Sequence, residues 1–289
     1  MSDPPPSDAP PPDLAALRAE IDAVDDALHD LLMRRAAITG RMAAARIKAG
    51  SGGSFRPGRE ALILRRLLAR HGGPLPPGTL LRVWREIIAA SLAQQGGFSV
   101  AVQAAQPDSP VLALARAHFG LDTPLRVHAT PARALAALSA GEAAVAVLGA
   151  PEDGEAPGAA WWPSLDAPRL RVVAALPFLV APGGRGPAAL AISAGAPDPT
   201  GRDRSLLRLE HGPALSRDGL IAALSAAGLA PLRLILQRGA APHGGSPSPQ
   251  GAALAEVAGF VEPGDPRLST LRAEVLGAFA EPEMLPPCP

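Results

Sequence analysis

Tyrosine is missing from this 289-residue chain, and lysine and cysteine occur once each, as Lys48 and Cys288. A single cysteine excludes an internal disulfide and a cysteine metal site, and it fits a reduced cytoplasm. The six histidines show no ligand spacing, so neither metal nor cofactor is expected. No apolar run reaches the roughly 18 residues that a membrane helix needs, so no membrane partner is expected. The segment from Ser2 to Pro12 is acidic and proline-rich, without the basic and apolar regions of a signal peptide. It reads as a disordered tail over residues 1–12. Net charge is zero, with 27 basic against 27 acidic residues, which leaves no electrostatic footprint for nucleic acid.

What the chain has in plenty is alanine, proline, glycine and arginine, a bias of base composition that makes any single arginine weak evidence. Register carries more weight. Leu14, Leu17, Ile21, Val24, Leu28 and Leu31 alternate three and four apart, and the next beat is Arg35. The seam resumes at Ile38, Met42 and Ala45, so the arginine interrupts an apolar stripe rather than ending it. A guanidinium there needs an anion, either a protein carboxylate or a ligand, because an unpaired buried charge costs several kcal/mol. Arg46 lies about 20° from Arg35 around the helix, whereas Lys48 is turned away by about 140°. A helix from Asp13 to Lys48 spans roughly 50 Å, longer than so small a helical module is wide. Its spacing asks for a second long helix, most simply that of another copy of the chain.

After the Gly/Ser loop of Gly50 to Ser54, Pro57 and the Arg59-Glu60 pair open a second apolar helix with Ile63, Leu64, Leu67 and Leu68. A third, from about Thr79 to Gln95, carries Ser91 and Gln95 four apart on one face. Taken in order, Leu17-Arg18-Ala19-Glu20-Ile21-Asp22, Leu31-Leu32-Met33-Arg34-Arg35, Pro57-Gly58-Arg59-Glu60 and Ile87 to Gln95 resemble the all-helical (type II) chorismate mutase family.

The resemblance implies an intertwined helical domain over residues 13–97 that works as a homodimer with shared active sites. It implies chorismate as substrate and prephenate as product. Arg18 would reach a substrate carboxylate in the partner subunit's site, and Arg35 would hold one in its own. Arg46 would face the ether oxygen, where the family usually has a lysine, with Gln95 serving the same oxygen. Glu60 would bind the ring hydroxyl, beside Arg59, and Ser91 would complete the polar pair on the last helix. The family's usual acid before the Arg-Glu pair is replaced near Arg56.

These residue types suit the chemistry. Rearrangement of a dianion within one molecule needs no nucleophile, metal or proton shuttle; it needs a clamp on two carboxylates and donors where the ether oxygen gains charge. Arginine forks grip carboxylates bidentately.

Beyond Gly97 the pattern changes to strands and helices in alternation: Phe98 to Val102, Val111 to Phe119 ending at Gly120, Leu125 to His128, Pro131 to Ser139, and Ala143 to Leu148. This predicts an α/β unit with a parallel sheet. The order, with Ala117-His118-Phe119-Gly120, resembles the first lobe of a prephenate dehydratase. The family's Pro-Ile-Glu-Asn-Ser and Thr-Arg-Phe motifs are replaced by Leu148 to Asp153 and by Gly186 to Leu190, so residues 98–197 read as a degenerate, partial α/β lobe. Trp161 and Trp162 are expected to pack in a core rather than to hold a ligand.

From residue 198 to 289 the order strand (Ser205 to Glu210), helix (Leu215 to Ala227), strand (Leu232 to Gln237), strand (Ala253 to Val261) and helix (Asp265 to Phe279) resembles an α+β ACT domain. The family's phenylalanine-binding motifs are only partly kept in His211 to Leu215 and in Leu236-Gln237-Arg238-Gly239, and a Gly/Pro/Ser insert runs from Ala240 to Gly251. The chain is thus expected to be multidomain: a chorismate mutase followed by a degenerate dehydratase-like part and an ACT-like part. A bifunctional mutase/dehydratase and a non-catalytic binder of such dianions are the competing readings.

Overall fold

The computed structural model describes residues 13–49, 55–156, 159–180, 183–184, 186–212, 216–237 and 251–285. The expected tail, the Gly50 to Ser54 loop, Pro213 to Leu215, Arg238-Gly239, the insert over 240–250 and Cys288 lie outside them. Two compact units divide the chain, Met1–Ser51 and Gly52–Pro289.

The first unit is a single helix, α1 (Leu14–Ala49). Asp13 starts it, its carboxylate accepting a 3.0 Å hydrogen bond from the Ala15 N–H, which satisfies one of the donors that a helix start leaves open. The predicted seam is present but uncovered within one chain. Leu14, Ile21, Leu28 and Leu31 are all more than half exposed.

The second unit begins with α2 (Pro57–Ala69) and α3 (Pro77–Ala93), each with proline in its first turn. There follow β1 (Val100–Gln103), α4 (Pro110–Phe119), β2 (Leu125–His128), α5 (Pro131–Ser139) and β3 (Val145–Gly149). Next come β4 (Arg171–Leu176), β5 (Leu179–Val180), β6 (Ala189–Ser193), β7 (Asp203–His211), α6 (Arg217–Ala226), β8 (Pro231–Gln237), β9 (Gly251–Ala258), β10 (Ala273–Ala280) and β11 (Glu283–Met284). A nine-stranded sheet runs β2-β1-β3-β6-β4-β10-β7-β9-β8, and β5 pairs with β11. Strands β2, β1 and β3 are parallel, as the alternating pattern predicts, and β6 joins β3 antiparallel.

The sheet is continuous across residue 198, where the sequence pattern changes. Strand β10 makes it so, pairing parallel with β4 on one side and antiparallel with β7 on the other. The helix expected from Asp265 to Phe279 is therefore corrected: only Pro266–Leu268 turns, as a 3-10 segment, and the rest is strand. Gly277 shows why. At φ 142° it lies so close to β4 that a Cβ would sit 2.1 Å from the Val172 carbonyl oxygen, an approach open only to glycine.

Both faces of the sheet are buried, and the strands alternate between two cores. Val100, Val102, Val145 and Val147 pack with Leu64, Leu81, Ile88 and Phe119 of the helices α2 to α4. Ala101, Ala146 and Leu148 point the other way, toward Leu138, Trp161 and Trp162. Both tryptophans are core residues as expected, and the Trp161 indole donates to the Gly149 carbonyl at 2.9 Å. A third core lies under α6, around Leu207, Leu224 and Val257.

Candidate functional site

On α1 the half-buried positions are Arg35, Ala36, Thr39, Ala43 and Arg46, which fall within a stripe of about 100°. Both predicted arginines are on it. Arg18 and Lys48 are exposed. Burial lowers the Arg35 guanidinium from its ordinary value, and the Thr39 hydroxyl donates to the Arg35 carbonyl at 3.2 Å.

The remaining predicted residues belong to the second unit. Arg59 is exposed at the start of α2. Its neighbour Glu60 is 7 % exposed and is held by Arg85 of α3, Nη1 to Oε2, at 3.0 Å. His118 of α4 closes the group, with Nε2 3.4 Å from the same Nη1. Burial pushes the Glu60 carboxyl up and the Arg85 guanidinium down, while the attraction between them opposes both. Burial, then the neighbouring Arg85 charge, holds His118 well below the ordinary histidine value, so the ring is neutral at pH 7. A neutral ring can accept at Nε2 from Arg85. On α3, Ser91 donates to the Ile87 carbonyl at 2.8 Å, and Gln95, two residues past the end of the helix at Ala93, donates to the Ser91 carbonyl at 2.9 Å; both are half-buried.

Arg85 and His118 were not among the residues expected to matter. Arg85 carried the same signal as Arg35. It interrupts the apolar stripe Leu81, Arg85, Ile88, Leu92, spaced four, three and four. Ser91 lies about 120° around α3 from Arg85, so Glu60 and Ser91 address different sectors of that helix.

Polar anchors fix α2 to the end of the sheet. Arg65 donates to Glu283 at 2.5 Å, Thr200 at 2.7 Å, and the carbonyls of Arg202 and Glu281 at 3.0 and 2.8 Å. Arg56, standing near the family's missing acid, grips Asp198 through two hydrogen bonds of 2.7 and 2.6 Å. A Cβ on Gly58 would lie 2.6 Å from the Asp198 carbonyl oxygen, so this glycine allows the close seat of α2. Phe55, Phe98 and Phe119 complete it as three tilted rings, 5.6 to 5.9 Å apart.

Among the described residues no group of three or more His, Cys, Asp or Glu could hold a metal ion. Among them, too, no helix is long and apolar enough to cross a membrane.

Comparison with known proteins agrees with the helical part. The bifunctional chorismate mutase/prephenate dehydratase of Stutzerimonas stutzeri is 34% identical over 92 residues, 30% of this chain and 25% of the relative. The match thus spans a quarter of that protein's length. Two solved structures share coarse similarity. A protein described as GqqA, a novel type of quorum quenching acylase, has a TM-score of 0.44 at 19% identity, covering 64% of this chain and 96% of its own. Prephenate dehydratase from Streptococcus mutans has 0.43 at 11%, covering 63% and 97%. The family model for chorismate mutase type II matches residues 17–96, which hold most of α1 together with α2 and α3.

Proposed function

We propose that the protein is a chorismate mutase, converting chorismate to prephenate in aromatic amino acid biosynthesis, as a cytoplasmic homodimer whose sites are shared between subunits. The observation that carries this reading is the placement of Arg35 and Arg46 on one half-buried stripe of α1, within the segment that matches the type II family. A second α1 covers the exposed seam, and Arg18 enters the partner's site.

Arg35 and the other subunit's Arg18 clamp the two carboxylates, with Arg59 adding positive charge at the start of α2. The clamp holds the diaxial conformer in which the reacting carbons meet, so that most of the catalytic gain is positional. Arg46 and Gln95 donate to the ether oxygen, whose charge grows only in the transition state. Glu60 receives the ring hydroxyl on Oε1, since Oε2 is engaged by Arg85. Ser91 fixes the far end of the substrate. The exposed position of Lys48 supports Arg46 for the ether oxygen.

A second activity, dehydration of prephenate, is favoured by the bifunctional relative. The stretch from Leu148 to Asp153 disfavours it, because the motif expected there is missing. One assay tests both. The purified chain, given chorismate, is expected to form prephenate with no phenylpyruvate. Absence of prephenate sinks the mutase reading, and enzymatic release of phenylpyruvate establishes the bifunctional one.

A further inference from the structure

Beside α3 and α4 the second unit forms an open pocket of about 230 Å³, lined among others by Leu64, Leu81, Arg85, His118, Phe178 and Leu179. It is smaller than the roughly 300–1,000 Å³ usual for drug-sized ligands, so its occupant is small. The walls are apolar apart from the exposed Arg82 and one buried cationic corner. Arg85, 8 % exposed, stands there with its guanidinium 5.7 Å from the Phe178 ring centroid. Among the described residues Arg85 forms hydrogen bonds through Nη1 alone, to Glu60 and His118, which leaves its Nη2 and Nε donors for a ligand. Packing alone would be served better by an apolar side chain, because a buried ion pair adds little net stability.

The lining also rejects something. Arg82 and Arg85 contribute positive charge, His118 is neutral, and no acidic side chain lines the cavity. A ligand's carboxylate would find donors, whereas an ammonium group would face two guanidinium groups and no acidic side chain on the lining, Glu60 being engaged behind Arg85.

We infer that this cavity binds a small monocarboxylate with an aromatic or branched apolar body and no ammonium group, its carboxylate on the free edge of Arg85 and its body against Phe178, Leu64 and Leu81. The site is independent of the mutase reading, since none of its lining residues is assigned to the chorismate site.

Calorimetric titration of the full chain with 3-phenylpropanoate tests it, with L-phenylalanine and 3-phenylpropan-1-ol as comparators. One 3-phenylpropanoate per chain is expected to bind, at least about tenfold more tightly than either comparator, the difference a charge-assisted hydrogen bond makes. Arg85→Gln should weaken it by roughly ten- to a hundredfold. Ala117→Trp, which places a large ring on the exposed edge of the same cavity, should do likewise without disturbing the Arg85–Glu60 pair. Arg35→Ala should leave it unchanged. No heat with 3-phenylpropanoate, equal binding of phenylalanine, or binding that survives Ala117→Trp would each overturn the inference. Loss in Arg35→Ala alone would also overturn it, by assigning the ligand to the chorismate site.

Discussion

Helix α1 and the unit that follows it treat charge in opposite ways. On α1 the apolar seam is exposed, while Arg35 and Arg46 lie on a half-buried stripe beside it. In the second unit the buried charge is settled internally. Arg85 meets Glu60 across 3.0 Å, and His118 is held neutral beside them. The same interruption of an apolar stripe by arginine therefore has two outcomes. On α1 the arginine is proposed to serve a ligand and a second chain, and on α3 it meets a buried carboxylate.

That contrast is broken most severely at Arg85. Arg85→Ala leaves Glu60 buried without its cation, and unfolding in urea should show a loss of roughly 3–5 kcal/mol. A change below about 1 kcal/mol would mean that Glu60 is already protonated in the folded chain and needs no partner.

Arg35→Ala should behave in the reverse manner, costing on the order of 3 kcal/mol or more in transition-state binding with little change in urea stability. Steady-state rates with chorismate alongside an unfolding curve separate the two effects. Unfolding without specific loss of turnover would place Arg35 with Arg85 as a structural cation.

Arg46→Ala sharpens the comparison within α1. Because it is proposed to act only as charge develops, kcat and kcat/KM should fall together by a factor corresponding to about 2 kcal/mol, with KM nearly constant. Lys48→Ala should be neutral. The opposite pattern would move the ether-oxygen donor two residues along the helix.

The smallest effect concerns His118. Its folded value is lowered beneath the ordinary 6.5, so below that pH the unfolded chain takes up a proton that the folded chain refuses. Its contribution is complete above pH 6.5 and is lost as pH falls toward the folded value, by up to about 1.4 kcal/mol per pH unit. His118→Phe should flatten the pH dependence of the urea midpoint between pH 7.5 and 5 by about that amount. An unaltered slope would show that His118 titrates normally.

Much of the fold was legible because its elements are strongly periodic or cleanly punctuated. Leu125–His128 and Pro131–Ser139 occur where alternation, proline and the following turn placed them. β10 was misread because Asp265 and Pro266 form a genuine helix start, with the Asp265 carboxylate accepting from the Arg267 N–H at 2.9 Å. The start signal is local, whereas the strand is imposed by distant β4 and β7. Site residues divide in the same way. Arg35 and Arg46 could be placed by angle on one helix, but the partner of Glu60 depends on how α2 and α3 pack, which no spacing within α2 reveals.

The proposal that α1 serves a second chain is tested most directly by mixing two inactive proteins. Arg18→Ala and Arg35→Ala, each crippled alone, are unfolded together and refolded as mixed dimers. If the site takes Arg35 from one subunit and Arg18 from the other, each mixed dimer regains one intact site. Random pairing then restores about a quarter of wild-type activity. Activity that stays at the level of the separate variants would contradict a shared site and return the exposed seam of α1 to an unexplained feature of a single chain.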